Sequence, residues 1–207
     1  MTQMIQPRII AIVQARMDST RLPNKVMRVI QGTPMIEVLL KRLSASKYIT
    51  QIWLATADNA INQPLVDHVK QLGYSIYQGD ENDVLDRFYQ TSVEAKADIV
   101  LRITGDCPLI DAVLVDQVIE KYLDSDADYV SNCVPASFPD GLDTEVFSFK
   151  ALEKAWNEAE GQFNHEHVTP FLLDSGLFKV DSVISDIDYS GERWTVDEQT
   201  DFEVVEQ

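Results

Sequence analysis

Residues 9–25 read IIAIVQARMDSTRLPNK, an apolar run that passes directly into a polar loop carrying Arg16, Arg21 and Lys25. A short apolar run of this kind predicts a buried strand, and the small and polar residues that follow (Ala15, Ser19, Thr20, Asn24) allow backbone N–H groups to turn toward an anion. Arginine forks and a lysine point charge can then grip the anion's oxygens. The segment therefore reads as a polyphosphate-binding loop at the carboxyl end of a strand, the alternative being an ordinary basic surface loop.

Working outward, the pattern alternates. Val26 to Ile30 is a short apolar connector and Gly32 a turn. Pro34 suits the first position of a helix whose apolar face is Met35, Ile36, Leu39, Leu40 and Leu43. A strand is expected at 51–56, a helix at 61–72 ending at Gly73, a strand at 75–78, and a helix at 83–95 with Val84, Leu85, Phe88 and Val93 inward. The run DIVLRIT at 98–104 is apolar enough for a central parallel strand and leads into GDCPL at 105–109. A helix at 111–123 and a strand at 128–132 follow. This rhythm predicts an α/β fold, a mostly parallel sheet with helices on both faces. Beyond residue 132 the pattern loosens into a loop at 135–143, a short strand at 144–147, helices at 150–159 and 165–173, an extended stretch at 177–183, and a short strand at 193–196. Residues 197–207 read as a helix start that stops abruptly, as expected of a longer chain cut short. No internal repeat or linker divides the chain, so a single domain over 1–207 is expected.

Hydrophobic content of 45% and charged content of 25% match an ordinary globular protein, and no apolar run approaches the ~20 residues of a membrane span. The opening residues lack the apolar core of a signal peptide, so a cytoplasmic location is expected. Cys107 and Cys133 have no metal-type spacing and read as small buried residues. Net charge is −17, unevenly spread: residues 1–50 hold eight Lys and Arg against two acids (+6), the remainder nine against 32 (−23). An acidic body repels a nucleic-acid backbone, whereas a small polyphosphate can still be held by locally clustered cations.

Ligands of open α/β sheets bind beyond the carboxyl ends of the strands. Three polar features are expected there: the basic loop, Asp106 after strand 98–104, and Asp197 after Trp194, Thr195 and Val196. Two hard carboxylates suit Mg²⁺, which takes one or two and fills its remaining positions with water and phosphate oxygens. Each aspartate has a second reading, as the cap of the helix that follows it. Asp143 and Glu145, spaced i, i+2, would share one face of a strand and could accept hydroxyl hydrogen bonds from a sugar, or be exposed acids. Asp86 and Arg87 could contact substrate or be an exposed charge pair. His165 and His167 would point to different sides of a helix, leaving one of them, His167, to line a substrate pocket or to sit at the surface. Walker A, G-x-G-x-x-G and G-x-S-x-G patterns do not occur, so P-loop phosphate transfer, hydride transfer and a serine triad are not suggested.

Seven segments carry a resemblance: QARMDSTRLPNK (14–25), GTPMIE (32–37), DENDVLDRFY (80–89), RITGDCPLID (102–111), FPDGLDTEVF (138–147), HEHVTPF (165–171) and RWTVDEQTDFE (193–203). Together they resemble the cytidylyltransferases that activate acidic sugars, the acylneuraminate and 3-deoxy-manno-octulosonate enzymes, and are most similar to the spore-coat polysaccharide branch. The resemblance implies a Rossmann-like nucleotide-diphosphosugar transferase fold. It also implies CTP and an acidic sugar as substrates, a homodimer, and transfer of CMP with release of pyrophosphate. Gln14, Ala15, Arg16, Ser19, Arg21, Lys25 and Asp106 would bind nucleotide, and Arg16, Lys25 and Asp106 would act in catalysis. Asp106 and Asp197 would hold Mg²⁺; the candidates for facing the sugar, Asp86, Arg87, Asp143, Glu145 and His167, rest on their sequence positions and not on the resemblance. A sugar 1-phosphate acceptor, another nucleoside triphosphate, or a binding module without turnover are the competing readings.

Overall fold

The computed structural model describes residues 6–207. Its centre is β1 (Ile9–Gln14), flanked by two parallel neighbours, β4 (Gln51–Ala57) and β6 (Ile99–Thr104). Two-sided pairing explains the unbroken apolar sequence of this strand: with helices above and below, neither face meets water. β5 (Ser75–Gly79) extends the sheet parallel to β4. On the other side β8 (Glu145–Ser148) runs antiparallel to β6, then come β7 (Tyr129–Ser131) and β9 (Val180–Ser182), giving the order β5-β4-β1-β6-β8-β7-β9. Strand order reverses between β1 and β6, which opens a crevice beyond their carboxyl ends.

Alternate residues of β1 serve two cores. Ile9, Ala11 and Val13 pack with α1 (Met35–Leu43), α2 (Gln63–Gln71), α4 (Ala112–Leu123) and α8 (Gln199–Glu206). Ile10 and Ile12 pack with α3 (Val84–Ala95), α5 (Phe149–Glu158) and α7 (Pro170–Asp174). At about 25 cal/mol per Å² of apolar area removed from water, residues buried on both faces make β1 costly to disturb. The mostly parallel sheet, covered on both sides, is the architecture expected from the sequence.

Several local expectations are corrected. Pro34 is not helical: it ends the two-residue strand β3 (Thr33–Pro34), which pairs with β2 (Val29–Ile30) across a turn where Gln31 and Gly32 both have positive φ. The expected connector at 26–30 is thus a short 3-10 turn, Lys25–Met27, followed by that hairpin. Val93 is 47% exposed rather than inward, because the buried face of α3 runs through Leu85, Phe88, Ser92 and Ala95. The helix expected at 165–173 is two, α6 (Gln162–His167) and α7, separated where Val168 takes φ 69° and Pro170 opens the second. Residues 193–196 form no strand beyond a single bridge from Arg193 to Asp140. Asp143 lies outside β8, so it does not share a strand face with Glu145.

Candidate active site

The β1 and β6 loops leave the sheet side by side and are pressed together by a glycine. Gly105 N–H donates to the Gln14 carbonyl at 2.8 Å, and a Cβ at position 105 would stand 2.6 Å from the Ala15 Cβ. Only glycine permits that approach. Past Ala15 the basic loop is pinned from within: the buried Asn62 accepts the Met17 N–H on Oδ1 at 2.8 Å and donates from Nδ2 to the Ala57 carbonyl and to Asn59. Asn24, in the left-handed region at φ 58°, closes the loop on the Met17 carbonyl and starts the turn that carries Lys25.

The third wall comes from much later in the chain. Gly141, at φ 112°, lies so close to Trp194 and Thr195 that a Cβ would come within 2.4 Å of the Thr195 nitrogen. The Asp140 carbonyl accepts from the N–H groups of both Trp194 and Thr195, and the Val196 N–H donates to the Asp106 carbonyl at 2.8 Å. These bonds deliver Asp197 beside Asp106. Neither aspartate caps a helix: Asp111 caps α4, and Glu198 with Asp201 forms a capping box on α8.

Lys25 joins the parts. Its side chain is 11% exposed, and Nζ donates to Asp106 Oδ2 at 3.2 Å, Asp197 Oδ1 at 2.9 Å and the Val196 carbonyl at 2.8 Å. Arg21 and Arg193 each approach Asp197 at 3.0 Å. Burial pushes the Asp197 carboxyl up, but Lys25, then Arg193 and Arg21, outweigh it and hold the group below the usual carboxylate range. Asp197 is thus kept as an ionised oxygen donor. Among the described residues no third His, Cys, Asp or Glu side chain gathers here. A pair of carboxylates fits a hard cation that draws its remaining ligands from water and phosphate.

These groups line a cleft of about 390 Å³. Every residue expected to bind nucleotide reaches it (Gln14, Ala15, Arg16, Ser19, Arg21, Lys25 and Asp106), as do Asp197, Arg87 and His167. Asp86 does not: its Oδ1 accepts from Trp156 Nε1 and Gln90. Glu145 is neither exposed nor open to a sugar, since it receives Arg102 Nη1 and the Tyr129 hydroxyl. Asp143 is also absent from the cleft wall; its carboxyl is pushed up to about 6 by burial, then by Asp140 and Glu145. Arg87 is buried rather than an exposed partner of Asp86, and its Nη1 holds the carbonyls of Asp80 and Glu81. His165 turns from the cleft to Asp83 at 2.9 Å, while His167 packs on Phe163 with ring centres 4.6 Å apart. The sequence reading missed Asn62, Asn82, Gln162 and Glu166. An asparagine at a helix start looks like a cap, and Gln162 precedes the helix expected at 165–173 because α6 begins three residues earlier.

A family model described as Cytidylyltransferase matches residues 10–205. An uncharacterised protein of Methanocaldococcus jannaschii is 40% identical over 201 residues, spanning 95% of this chain and 81% of the relative. The spore coat polysaccharide biosynthesis protein SpsF of Bacillus subtilis is 29% identical over 206 residues, spanning 95% and 84%. Among solved structures, a cytidylyltransferase from Leptospira borgpetersenii superposes with a TM-score of 0.92 at 30% identity, over 97% of this chain and 85% of that one. A CMP:2-keto-3-deoxy-manno-octonic acid synthetase complexed with CTP shares the fold, with a TM-score of 0.73 at 18% identity over 96% and 97% of the two chains.

Proposed function

We infer the reaction from what the chain is: it belongs to the cytidylyltransferase family and is a nucleotidyltransferase. It transfers CMP from CTP to an acidic sugar and releases pyrophosphate, in the assembly of a surface polysaccharide or other glycan. One observation carries this reading: a single lysine of the basic loop touches carboxylates 81 and 172 residues further along, so the basic loop, Asp106 and Asp197 meet at one point.

The sugar hydroxyl attacks the α-phosphorus of CTP while the bond to the pyrophosphate oxygen breaks. Arg16 and Arg21, at 48% and 60% side-chain exposure, can turn from their carboxylate partners onto the phosphates, and the Ser19 hydroxyl offers a short-range donor. Lys25 has every ammonium proton engaged by the protein, so a bound triphosphate must draw it away from at least one of these three acceptors. Asp106 and Asp197 would hold Mg²⁺, which when bound lowers the repulsion between the phosphates and the incoming oxygen. The protein's share is positioning and charge neutralisation in a partly dry cleft. Arg87 and His167, which also line the cleft, would meet the acceptor.

Pyrophosphate release from CTP, UTP, GTP and ATP, each with Mg²⁺ and a panel of acidic keto-sugars and sugar 1-phosphates, tests the reading. Turnover with CTP and an acidic keto-sugar is expected. Turnover only on a sugar 1-phosphate, or CTP binding with no turnover on any acceptor, would replace it.

A further inference from the structure

Behind the cleft a buried ion pair serves no part of the reaction described so far. Arg102 and Glu145 are 15% and 8% exposed at the side chain, and Arg102 Nη1 donates to Glu145 Oε2. The hydroxyl of the fully buried Tyr129 donates to Glu145 Oε1 at 2.7 Å. Burial alone would lower the Arg102 guanidinium's pKa, and Glu145 more than reverses it. Such a pair contributes little stability over well-packed apolar residues of the same size, so its presence calls for a second role.

That role is visible at the remaining end of the guanidinium. Arg102 Nε donates to Gln14 Oε1 at 3.1 Å, and Gln14 lines the cleft. A guanidinium has donors and no acceptors, so the atom of the Gln14 amide facing it must be the oxygen. The choice between the amide's two ends, usually open, is settled chemically. The nitrogen end has no hydrogen-bond partner among the described residues. The Gln14 backbone is fixed as well, its carbonyl receiving the Gly105 N–H at 2.8 Å.

We propose that Gln14 is a substrate-binding donor held in one orientation by Arg102, Glu145 and Tyr129, and that its NH₂ group hydrogen-bonds an anionic oxygen of a reactant in the cleft. Arg102, Glu145 and Tyr129 are positioning residues; Gln14 alone touches the ligand. The oxygen belongs to a phosphate of the nucleotide or to the carboxylate of the acceptor, and the proposal rests on the reading of this cleft as the nucleotidyl-transfer site. An amide released from Arg102 would no longer be held in reach of that anion and could turn its own oxygen toward it.

The test follows the Gln14 side-chain amide by ¹⁵N NMR on the full chain, its signals identified by their loss in Gln14→Met. Titration with CTP and Mg²⁺, and separately with 3-deoxy-manno-octulosonate, is expected to move the pair with at least one ligand. Movement with CTP assigns a phosphate; movement with the acid alone assigns the carboxylate. Arg102→Met combined with Glu145→Met removes both charges without stranding either and is expected to weaken that ligand about tenfold. Arg102→Lys, which still presents only donors to Oε1, should stay within about threefold of wild type. Adding Gln14→Met to the Met pair should cost nothing further, as for residues acting as one unit. An amide pair that neither ligand moves, or losses that simply multiply, would overturn the proposal. Absence of pyrophosphate release would sink the assigned reaction and leave this readout intact.

Discussion

Lys25 has three protons to donate and three acceptors to receive them, and two of these are the carboxylates proposed to hold Mg²⁺. Removing one preorganised electrostatic contact of this kind commonly costs about 3–4 kcal/mol in the barrier, two to three powers of ten in rate. Lys25→Ala and Asp106→Ala should each lower pyrophosphate release on that scale while circular dichroism stays unchanged; near-normal release by both would remove them from the mechanism. Asp143 makes a different prediction. Its carboxyl is raised to about 6 against an ordinary value near ~3.9, so the folded chain holds that proton more tightly than the unfolded one. Ionising it therefore counts against the fold: the penalty is absent below about pH 4, grows between about 4 and 6, and is complete above. Asp143→Asn should raise the unfolding free energy at pH 7.5, read from urea melts, by about 1–2 kcal/mol given partial solvation, with no gain at pH 4. Why Asp143 and Glu145 read as sugar ligands is also a residue-scale matter. Their spacing was visible, but the partners that occupy Glu145, Arg102 and Tyr129, are 43 and 16 residues away.

At the scale of elements, the site depends on two glycine contacts that bring loops within touching distance. Gly105→Ala would force a methyl against Ala15, and overpacking of this sort costs about 1–3 kcal/mol. The β1 and β6 loops would part, so a raised KM for CTP is expected together with a lower melting temperature. Unchanged kinetics would show that the two loops act independently. A second contact ties α6 to the start of α3: His165 Nδ1 meets Asp83, the residue capping α3. That hydrogen bond first, with the Asp83 charge behind it, raises the histidine's pKa. Its contribution is complete below the unfolded value near ~6.5 and lost as pH climbs past the folded one. His165→Gln should therefore cost stability at pH 6 and none at pH 9, read from thermal melts. The parallel strands and their helices were legible because each is a long apolar or periodic run. The β2–β3 hairpin, the break at Val168 and the single bridge at Arg193 were not, since two-residue strands and one residue of unusual φ leave no period to read.

For the molecule as a whole, a net charge of −17 sets self-repulsion against a cleft that collects cations. Added salt should act oppositely on the two. Between about 20 and 200 mM NaCl the melting temperature should rise as the acidic body is screened, while CTP affinity falls. Both moving the same way would show that the −23 beyond residue 50 does not dominate stability. The convergence of the site was legible from topology alone, because a strand-order reversal beside β1 gathers loops from distant sequence. Asp197 was expected there as well, but not how it arrives: backbone bonds to Asp140 and Asp106, rather than a strand, place it, and no local pattern announces them. Its late position has a bearing on synthesis. A ribosome that has already made the basic loop must add 172 more residues beyond Lys25 before the second carboxylate exists. A polypeptide abandoned partway could fold much of its sheet and display the cations, yet would lack the carboxylate proposed as the second Mg²⁺ ligand; with that role, turnover itself reports that translation reached at least that far.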